Sequence, residues 1–245
     1  MDTIKICAKS TKMIAHRGLC GIERENSCAA FIAAGNRSFY GIETDVHLTR
    51  DGQFVIIHDE NTERVSGGAF CVDVEQSDAA TLSSVVLTDP VSGKARRDLV
   101  LPMLADYVSI CKKYDKDCVL EVKNPFPQEA LARLVEAIDA QGYLSHVVFI
   151  SFSWSNCVAL RALLPDARIQ WLTDKEITDD MIASLVSYRF DLDVYFERLS
   201  ADAVKRLHAA GILVNCWTVD NKDAAARLVD MGVDMITTDI LEAQA

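Results

Sequence analysis

GIETDVHLTRDGQFVIIHDE, residues 41–60, combines the pattern of a buried β-strand with many acidic and histidine side chains. An apolar spine runs through it, which is typical of a strand in a protein core. Its acidic and histidine residues are Glu43, Asp45, His47, Asp51, His58, Asp59 and Glu60. A lone buried carboxylate is strongly disfavoured unless it is paired or bound to a metal. We therefore expect a partner for these acids, and that partner should indicate the function.

The spacing of the acids suggests what this partner is. Side chains alternate along a strand, so Glu43, Asp45 and His47 share one face. Two carboxylates on one face form a binding site for a hard divalent cation such as Mg²⁺ or Ca²⁺. Asp51-Gly52 then predicts a hairpin turn, and the returning strand carries His58 back toward the acids.

The rest of the chain alternates between short Val-, Ile- and Leu-rich runs and amphipathic helical patterns. We expect the first helix to begin at the capping residues Asn26 and Ser27. Of the last two helices, one is expected to start at Ser200 and the other to stop at Gly232. We predict strands at 13–15, 41–48, 118–122, 147–151, 168–172, 193–196, 213–217 and 235–238. This order predicts an α/β fold, a parallel (β/α)8 TIM barrel. A doubly wound sheet is the alternative, because alternation alone does not distinguish the two.

Length and composition fit one barrel. With 245 residues, 50% of them hydrophobic, the chain can bury a large core. We expect residues 1–245 to form a single TIM-barrel domain. Residues from about 60 to 100 are rich in Gly, Ser, Asp and Thr and are too many for a simple connection. They predict a small insertion after the second barrel strand.

Charge and cysteine usage exclude several classes of partner. The net charge of −11 disfavours nucleic acid and anionic membrane surfaces, and no apolar run is long enough for a transmembrane helix. The eight cysteines are scattered without a CxxC pair, which favours free thiols. The N-terminus has no signal-peptide pattern. We therefore expect a cytoplasmic protein with a small-molecule substrate and no stable membrane association; a homodimer is left open.

Polar residues follow several of the predicted strands. In a (β/α)8 barrel the carboxyl ends of the strands converge on one mouth, where active sites lie. The convergent set is His16, Arg17, Glu43, Asp45, His58, Glu121 and Lys123. Three carboxylates can hold one cation, two histidines can exchange a proton, and an arginine and a lysine can hold an anion. This set suits metal-assisted cleavage of a phosphate ester.

Other residues near these motifs have structural explanations of equal weight. His47 is expected to be structural or to support the site, and Asp59 to cap a turn. Asn26 either supports His16 or caps the first helix. Phe152 follows one predicted barrel strand and Trp217 ends another. Each either lines the pocket or belongs to the core, and we place both as candidates for the pocket wall.

Four segments together resemble the glycerophosphodiester phosphodiesterase family. They are IAHRGLCGIERENSCAAFIAAG, GIETDVHLTRDGQFVIIHDE, LEVKNP and VNCWTVDNKDAAARLVDMGVDMITTD. The resemblance extends over residues 16–239 and preserves the order HRG, ExD, HD and ExK, which is far more specific than any one motif.

The resemblance implies a TIM barrel with a small insertion after the HD motif. It also implies one bound divalent cation, Mg²⁺ or Ca²⁺, and a two-step reaction in which a substrate hydroxyl attacks phosphorus and water opens the cyclic phosphate. The residues it implies are Glu43, Asp45 and Glu121 as metal ligands, His16 and His58 as general acid and base, and Arg17 and Lys123 as phosphate contacts.

We therefore expect metal-dependent hydrolysis of glycerophosphodiesters to glycerol 3-phosphate and an alcohol. One alternative is a lysophospholipase D-type enzyme acting on lysophospholipids. Another is a non-catalytic barrel that binds phosphorylated ligands, but such a barrel should lack one of the acids or histidines, and this chain keeps them all. The insertion is mostly polar and is expected to lie over the mouth, which favours small soluble diesters.

Overall fold

The computed structural model describes residues 2–244, in which eight parallel strands form a closed barrel with helices between them. The strands are β1 (Ile4–Ile6), β2 (Lys12–Ala15), β3 (Gly41–Leu48), β4 (Phe54–Ile56), β5 (Val86–Thr88), β6 (Ala95–Val100), β7 (Asp117–Val122), β8 (Val147–Ser151), β9 (Arg168–Thr173), β10 (Asp191–Tyr195), β11 (Val214–Trp217), β12 (Met235–Thr238) and β13 (Leu241–Ala243).

The helices are α1 (Cys28–Gly35), α2 (Ala79–Ser83), α3 (Leu104–Lys113), α4 (Gln128–Asp139), α5 (Trp154–Leu163), α6 (Asp179–Tyr188), α7 (Ala201–Ala209) and α8 (Lys222–Met231). Two short 3₁₀ helices follow Tyr143 and Tyr195, at Leu144–His146 and Phe196–Arg198. Among residues 2–244, no helix has both the length and the apolar character needed to cross a membrane.

Strand pairing closes the barrel. The parallel order is β2, β3, β7, β8, β9, β10, β11 and β12, and β12 pairs again with β2. A doubly wound sheet would leave two free edges, so closure confirms the predicted (β/α)8 barrel. The hairpin prediction is also confirmed, because β4 runs antiparallel to the C-terminal half of β3, with His47 opposite Val55.

Alternation along the strands sorts side chains into two layers. On β3, Ile42 and Val46 face the main core between the barrel and its helices. Glu43 and Asp45 fall on the opposite face of this strand, toward the barrel interior. A smaller apolar cluster fills the interior and consists of Ile14, Val119, Val148, Ile150, Leu172 and Met235, packed against Tyr40 and Trp217.

Local signals account for the helix ends. The Ser200 side chain accepts a hydrogen bond from the Ala203 N–H at the start of α7, as predicted. Helix α8 ends at Gly232, whose φ of 87° is the left-handed conformation that glycine adopts most easily. Ser27 caps α1 by accepting from the Ala30 N–H. The prediction that Asn26 also caps this helix is wrong, because its side chain is buried in the site described below.

The first and last strands form a sheet apart from the barrel sheet. Strands β1 and β13 form a two-stranded parallel sheet. Within β13, Glu242 is only 2% exposed and pairs with Lys5 at 2.7 Å. It also accepts a hydrogen bond from the Ser38 N–H at 2.8 Å. These contacts outweigh the effect of burial and lower the pKa of Glu242 to about 2.

The segment 59–103, here called the insertion, joins β4 to α3 and contains α2 and the antiparallel pair β5–β6. It lies after the second barrel strand, as predicted. It packs around a small apolar core that is separate from the two barrel clusters and comprises Val55, Ile57, Val65, Val74, Leu82, Val85, Leu87, Leu99 and Leu101.

Candidate active site

A cavity of about 110 Å³ opens at the carboxyl ends of the barrel strands. Its polar lining consists of His16, Arg17, Glu43, His58, Glu121, Asp193, Thr218 and Thr237. Its apolar lining consists of Ile150, Phe152, Leu172 and Trp217. The charged groups come mainly from the first three barrel strands, and the apolar groups come from later strands. The cavity is therefore divided into a charged side and an apolar side.

The charged side is built on three buried carboxylates. Glu43 and Asp45 lie on β3, and the β3–β7 register sets Asp45 directly opposite Glu121. The three residues are only 3%, 1% and 7% exposed, and one oxygen from each lies within 4.8 Å of the others. The structure thus brings together the three acids that the sequence analysis singled out.

Two cationic residues surround this cluster. The Lys123 Nζ lies 2.9 Å from Oε1 of Glu121 and 3.3 Å from Oδ1 of Asp45. The Arg17 Nε lies 3.6 Å from Oδ2 of Asp45, and the Arg17 backbone N–H donates to Glu43 at 2.8 Å. The predicted pair of cationic residues is therefore at the site, where each contacts the carboxylate cluster.

These neighbours divide the three carboxyl groups into two kinds. Burial and the charges of Asp45 and Glu121 raise the pKa of Glu43 well above its usual range. Burial and Asp45 raise the pKa of Glu121 to about 8. Burial also acts on Asp45, but Lys123 and Arg17 outweigh it and hold the pKa of this carboxyl below its usual range. The cluster therefore binds protons tightly when no cation neutralises it.

Asn26 explains how Asp45 is held in place. Its side-chain amide donates to Oδ2 of Asp45 at 2.7 Å, and its Oδ1 accepts from the Thr44 hydroxyl at 2.6 Å. Asn26 is 2% exposed and has a φ of 50°, an uncommon conformation that this residue type tolerates. The residue thus supports an acid of the cluster, neither capping α1 nor contacting His16 as the two sequence hypotheses had it.

The two histidines are each bound to a carboxylate through Nδ1. Nδ1 of His16 lies 2.7 Å from Oδ1 of Asp239, which follows β12. Nδ1 of His58 lies 2.8 Å from Oδ1 of Asp59. A carboxylate on Nδ1 favours the tautomer that carries the proton there, which leaves Nε2 as the free nitrogen of each ring. Asp59 therefore does more than cap a turn.

Burial lowers the pKa of His58, while the negative charge of Asp45 opposes this effect. His47 holds the backbone of His58, because Nε2 of His47 lies 3.3 Å from the His58 carbonyl oxygen. Nδ1 of His47 contacts Glu75 at 3.0 Å. His47 is 1% exposed and thus joins β3 to the insertion, in agreement with its predicted supporting role.

A chain of ion pairs links the two sides of the polar region. Glu25 binds Arg17 at 2.7 Å and also pairs with Arg64 of the insertion. Arg64 in turn holds Asp59 at 2.7 Å, and Asp59 holds His58. The insertion flanks the mouth through these contacts. No residue of 59–103 is part of the cavity lining in the described chain, and a position of the insertion over the mouth stays a prediction.

Four residues of this arrangement were missed by the sequence analysis. Asp239 follows a barrel strand, so the rule that selected His16 could have found it. Asp193 lies on the inner face of β10 and is 1% exposed, but an isolated acid within a strand gave no motif. Glu25 and Arg64 lie in connecting segments, and nothing in the local sequence indicates that they pair.

Aromatic residues form part of the apolar side. Phe152 follows β8 and is 48% exposed, and Trp217 ends β11. Their ring centroids are 5.6 Å apart with planes at 80°. Tyr195 packs behind Trp217 at 5.7 Å. Both residues that we placed as candidates for a pocket wall thus line the cavity.

Comparisons with known proteins agree with this geometry. Residues 16–243 match the model of the Glycerophosphoryl diester phosphodiesterase family. The chain is 27% identical to a glycerophosphodiester phosphodiesterase of Caldanaerobacter subterraneus over 94% of each protein. It is similar to the crystal structure of a glycerophosphodiester phosphodiesterase from Parabacteroides distasonis, with a TM-score of 0.77, 27% identity and coverage of 94% of this chain and 93% of that one.

A second similar structure is that of an Oleispira antarctica phosphodiesterase in complex with the product sn-glycerol-3-phosphate. It has a TM-score of 0.81 and 24% identity over 96% of each chain, which supports the fold alone. The barrel, the site and the family match together identify the chain as a phosphoric diester hydrolase. The chain belongs to the glycerophosphodiester phosphodiesterase family.

Proposed function

We propose that the protein hydrolyses glycerophosphodiesters to glycerol 3-phosphate and an alcohol, using one divalent cation and two proton-carrying histidines. The observation that carries this proposal is the meeting of three buried carboxylates with two carboxylate-bound histidines around one cavity. A barrel that only bound phosphorylated ligands would have no need to orient two imidazoles in this way.

The carboxylate cluster fits a hard cation. Its donors are all oxygens, which Mg²⁺ and Ca²⁺ prefer, and the raised pKa values of Glu43 and Glu121 reflect charge that the protein alone does not neutralise. Glu43, Asp45 and Glu121 would hold the ion. A bound cation supplies charge stabilisation at the phosphoryl oxygens.

The histidines carry the protons in this proposal. One imidazole accepts the proton of the glycerol hydroxyl as its oxygen attacks phosphorus, and the other donates a proton to the departing alcohol oxygen. The resulting cyclic phosphate is then opened by water with the two roles exchanged, which restores both imidazoles. Asp239 and Asp59 keep Nε2 of His16 and His58 directed to the reacting atoms.

Arg17 and Lys123 are proposed to contact the phosphate. Both contact the carboxylate cluster, and Arg17 lines the cavity, so both lie where a diester bound at the cluster would reach. The Nε atom of Arg17 is buried without a hydrogen-bond partner in the described part of the chain. An anionic oxygen would satisfy this donor.

We further propose that the substrates are small soluble diesters and not lysophospholipids. The cavity is about 110 Å³, and the insertion adds no apolar surface to its lining. We also propose that the whole chain acts as one catalytic domain in the cytoplasm, consistent with its acidic charge and free cysteines. The homodimer stays a prediction.

The test is release of glycerol 3-phosphate from a panel of glycerophosphodiesters, with EDTA and after addition of Mg²⁺ or Ca²⁺. Activity should disappear in EDTA and return with the ion, and Asp45→Ala should abolish most of it. Glu136→Ala, which removes an exposed carboxylate on α4, is the matched control and should keep full activity. Full activity of dialysed enzyme in excess EDTA would exclude a metal-dependent reaction.

A further inference from the structure

A second group of metal-binding side chains lies where β2 and β12 end and consists of His16, Cys20 and Asp239. One ligand atom from each residue lies within 4.8 Å of the others. Nδ1 of His16 and Oδ1 of Asp239 are 2.7 Å apart. The side chains of His16 and Asp239 are 19% and 37% exposed, so an ion from solution can reach this group.

Backbone contacts hold Cys20 against Asp239. The Gly21 N–H donates to the carbonyl oxygen of Asp239 at 3.0 Å. A Cβ atom at position 21 would lie 2.7 Å from that oxygen, so the close approach of the two segments requires glycine. Asp239 in turn donates its own N–H to Oδ1 of Asp220 at 2.7 Å. The arrangement is therefore fixed by contacts in which the thiol takes no part.

The donor atoms indicate which kind of ion this group binds. The carboxylate cluster offers only oxygens, whereas His16, Cys20 and Asp239 offer one nitrogen, one sulfur and one oxygen. Zn²⁺ binds such a mixed set, and Mg²⁺ and Ca²⁺ compete poorly for it. The ligand atoms of a tetrahedral zinc ion are about 3.2–3.8 Å apart, so side-chain rotations of about 1 Å would close the group around the ion. Water would take the fourth position.

The state of the thiol favours metal binding over a redox role. Burial and the Asp239 carboxylate raise the pKa of the Cys20 thiol, which makes it a poor nucleophile and slow to oxidise. The group contains one cysteine, so it has no partner for a disulfide. A bound metal, in contrast, displaces the proton of a thiol ligand directly.

We propose that Zn²⁺ bound by His16, Cys20 and Asp239 inhibits the enzyme, at a site separate from the carboxylate cluster that would hold the catalytic cation. This inference rests on the proposed function, in which His16 carries a proton. The site would make turnover depend on the concentration of free zinc.

The inhibition follows from the chemistry of the imidazole ring. When zinc binds, the thiol of Cys20 releases its proton to water, and the single ring proton of His16 passes from Nδ1 to Nε2 through solvent. With Nδ1 bound to the ion, Nε2 has no free electron pair and cannot take up a proton. The proposed reaction requires His16 to take up a proton in one step and to give it back in the other, so zinc stops the cycle.

The first experiment measures release of glycerol 3-phosphate from glycerophosphocholine in a saturating concentration of the activating ion, with increasing Zn²⁺. Each protein is compared with its own zinc-free rate. The wild type should lose at least about tenfold in activity, since a proton carrier is removed. Cys20→Ser should require at least about tenfold more zinc for the same inhibition, because losing even a group that only supports a metal ligand has an effect of this size.

Cys28→Ser is the matched control. Cys28 is partly exposed like Cys20, but it belongs to neither of the metal-binding groups found among residues 2–244. Its response to zinc should equal that of the wild type.

The second experiment measures metal binding without turnover. Co²⁺ replaces Zn²⁺ as the probe, because a thiolate bound to Co²⁺ absorbs in the near ultraviolet through charge transfer. Titration in excess Mg²⁺, which keeps the carboxylate cluster occupied, should produce this absorption in the wild type and in Cys28→Ser. The absorption should be strongly reduced in Cys20→Ser and weakened in His16→Ala.

The outcomes separate the two proposals. A Cys20→Ser enzyme as sensitive to zinc as the wild type, zinc inhibition that excess Mg²⁺ relieves, or equal cobalt absorption in Cys20→Ser would overturn the zinc site and leave the phosphodiesterase activity intact. Failure to release glycerol 3-phosphate in the absence of zinc would overturn the proposed function, while the cobalt titration would still decide whether the metal binds.

Discussion

Replacing Glu121 by glutamine should stabilise the protein without metal and remove the stabilisation that metal provides. The wild-type carboxyl is buried beside Asp45, which raises its pKa to about 8. At neutral pH the folded protein must therefore either ionise an unfavourably placed acid or hold a proton on it. Glutamine has nearly the same shape and carries no charge, so it avoids both costs.

The size of the effect follows from the two pKa values. The folded-state pKa of Glu121 lies above the ordinary 4.5, so its contribution favours folding most at low pH and is lost as the pH rises from 4.5 to about 8. At pH 7, which is roughly 2.5 pH units above the ordinary pKa, this loss amounts to about 3 kcal/mol of folding free energy. The variant also loses the hydrogen bond between Lys123 and the Glu121 carboxylate, which destabilises it by about 1 kcal/mol. The remaining gain corresponds to a Tm increase of roughly 4–8 °C.

Thermal unfolding followed by circular dichroism in EDTA, from pH 5 to pH 8, measures this gain. The Tm difference between Glu121→Gln and the wild type should grow with pH across the range. Glu242→Gln is the matched control, because Glu242 is also buried but its pKa is lowered to about 2 by Lys5 and Ser38. The same substitution there should lower Tm.

Addition of Mg²⁺ or Ca²⁺ completes the test. A ligand that binds only the folded state raises Tm, so the wild type should gain stability from the ion and Glu121→Gln should gain little. A lower Tm for Glu121→Gln in EDTA throughout the pH range would refute the repulsion among these carboxylates. Equal metal-induced increases in both proteins would refute Glu121 as a ligand.

Three further predictions concern catalysis. His16→Ala and His58→Ala should each reduce kcat by roughly 10²–10⁴-fold with little change in Tm, and a variant keeping more than about a tenth of wild-type kcat would show that its histidine is not essential. Asp239→Asn should reduce kcat about 10- to 100-fold, more than it changes KM, because His16 loses its orienting carboxylate; unchanged kcat would contradict this. Glycerophosphocholine should give a higher kcat/KM than lysophosphatidylcholine below its micelle threshold, whereas the reverse order would favour the lysophospholipase D alternative.

The barrel could be predicted because its strands are short, apolar and separated by clear helix signals. All of the predicted strands are present, and the largest difference is at β10, predicted at 193–196 and observed at Asp191–Tyr195. Phe196 instead begins a 3₁₀ helix. The end of an apolar run is a weak signal for where a strand stops, since the apolar Phe196 suits both a strand and a 3₁₀ helix.

The site was predictable only where its residues form local motifs. Glu43 and Asp45 share a strand face, and the barrel rule then brings them to His16. The pairing of Glu25 with Arg64 crosses many residues and depends on how the insertion packs, which no local pattern contains. Asn26 was misassigned because one residue type suits both a helix cap and a buried carboxylate partner.

Because the insertion has a separate apolar core, we expect it to determine the temperature at which the enzyme loses activity. A segment with its own small apolar cluster can open as a unit while the barrel stays closed. Opening would withdraw Arg64 and release Asp59 and His58, whereas the acids on β3 and β7 would keep their places. Mild heating should therefore inactivate the enzyme reversibly before the barrel unfolds, with amide hydrogen exchange rising first in the insertion. The stability of the insertion, and not that of the barrel, would then limit the temperature range in which the enzyme works.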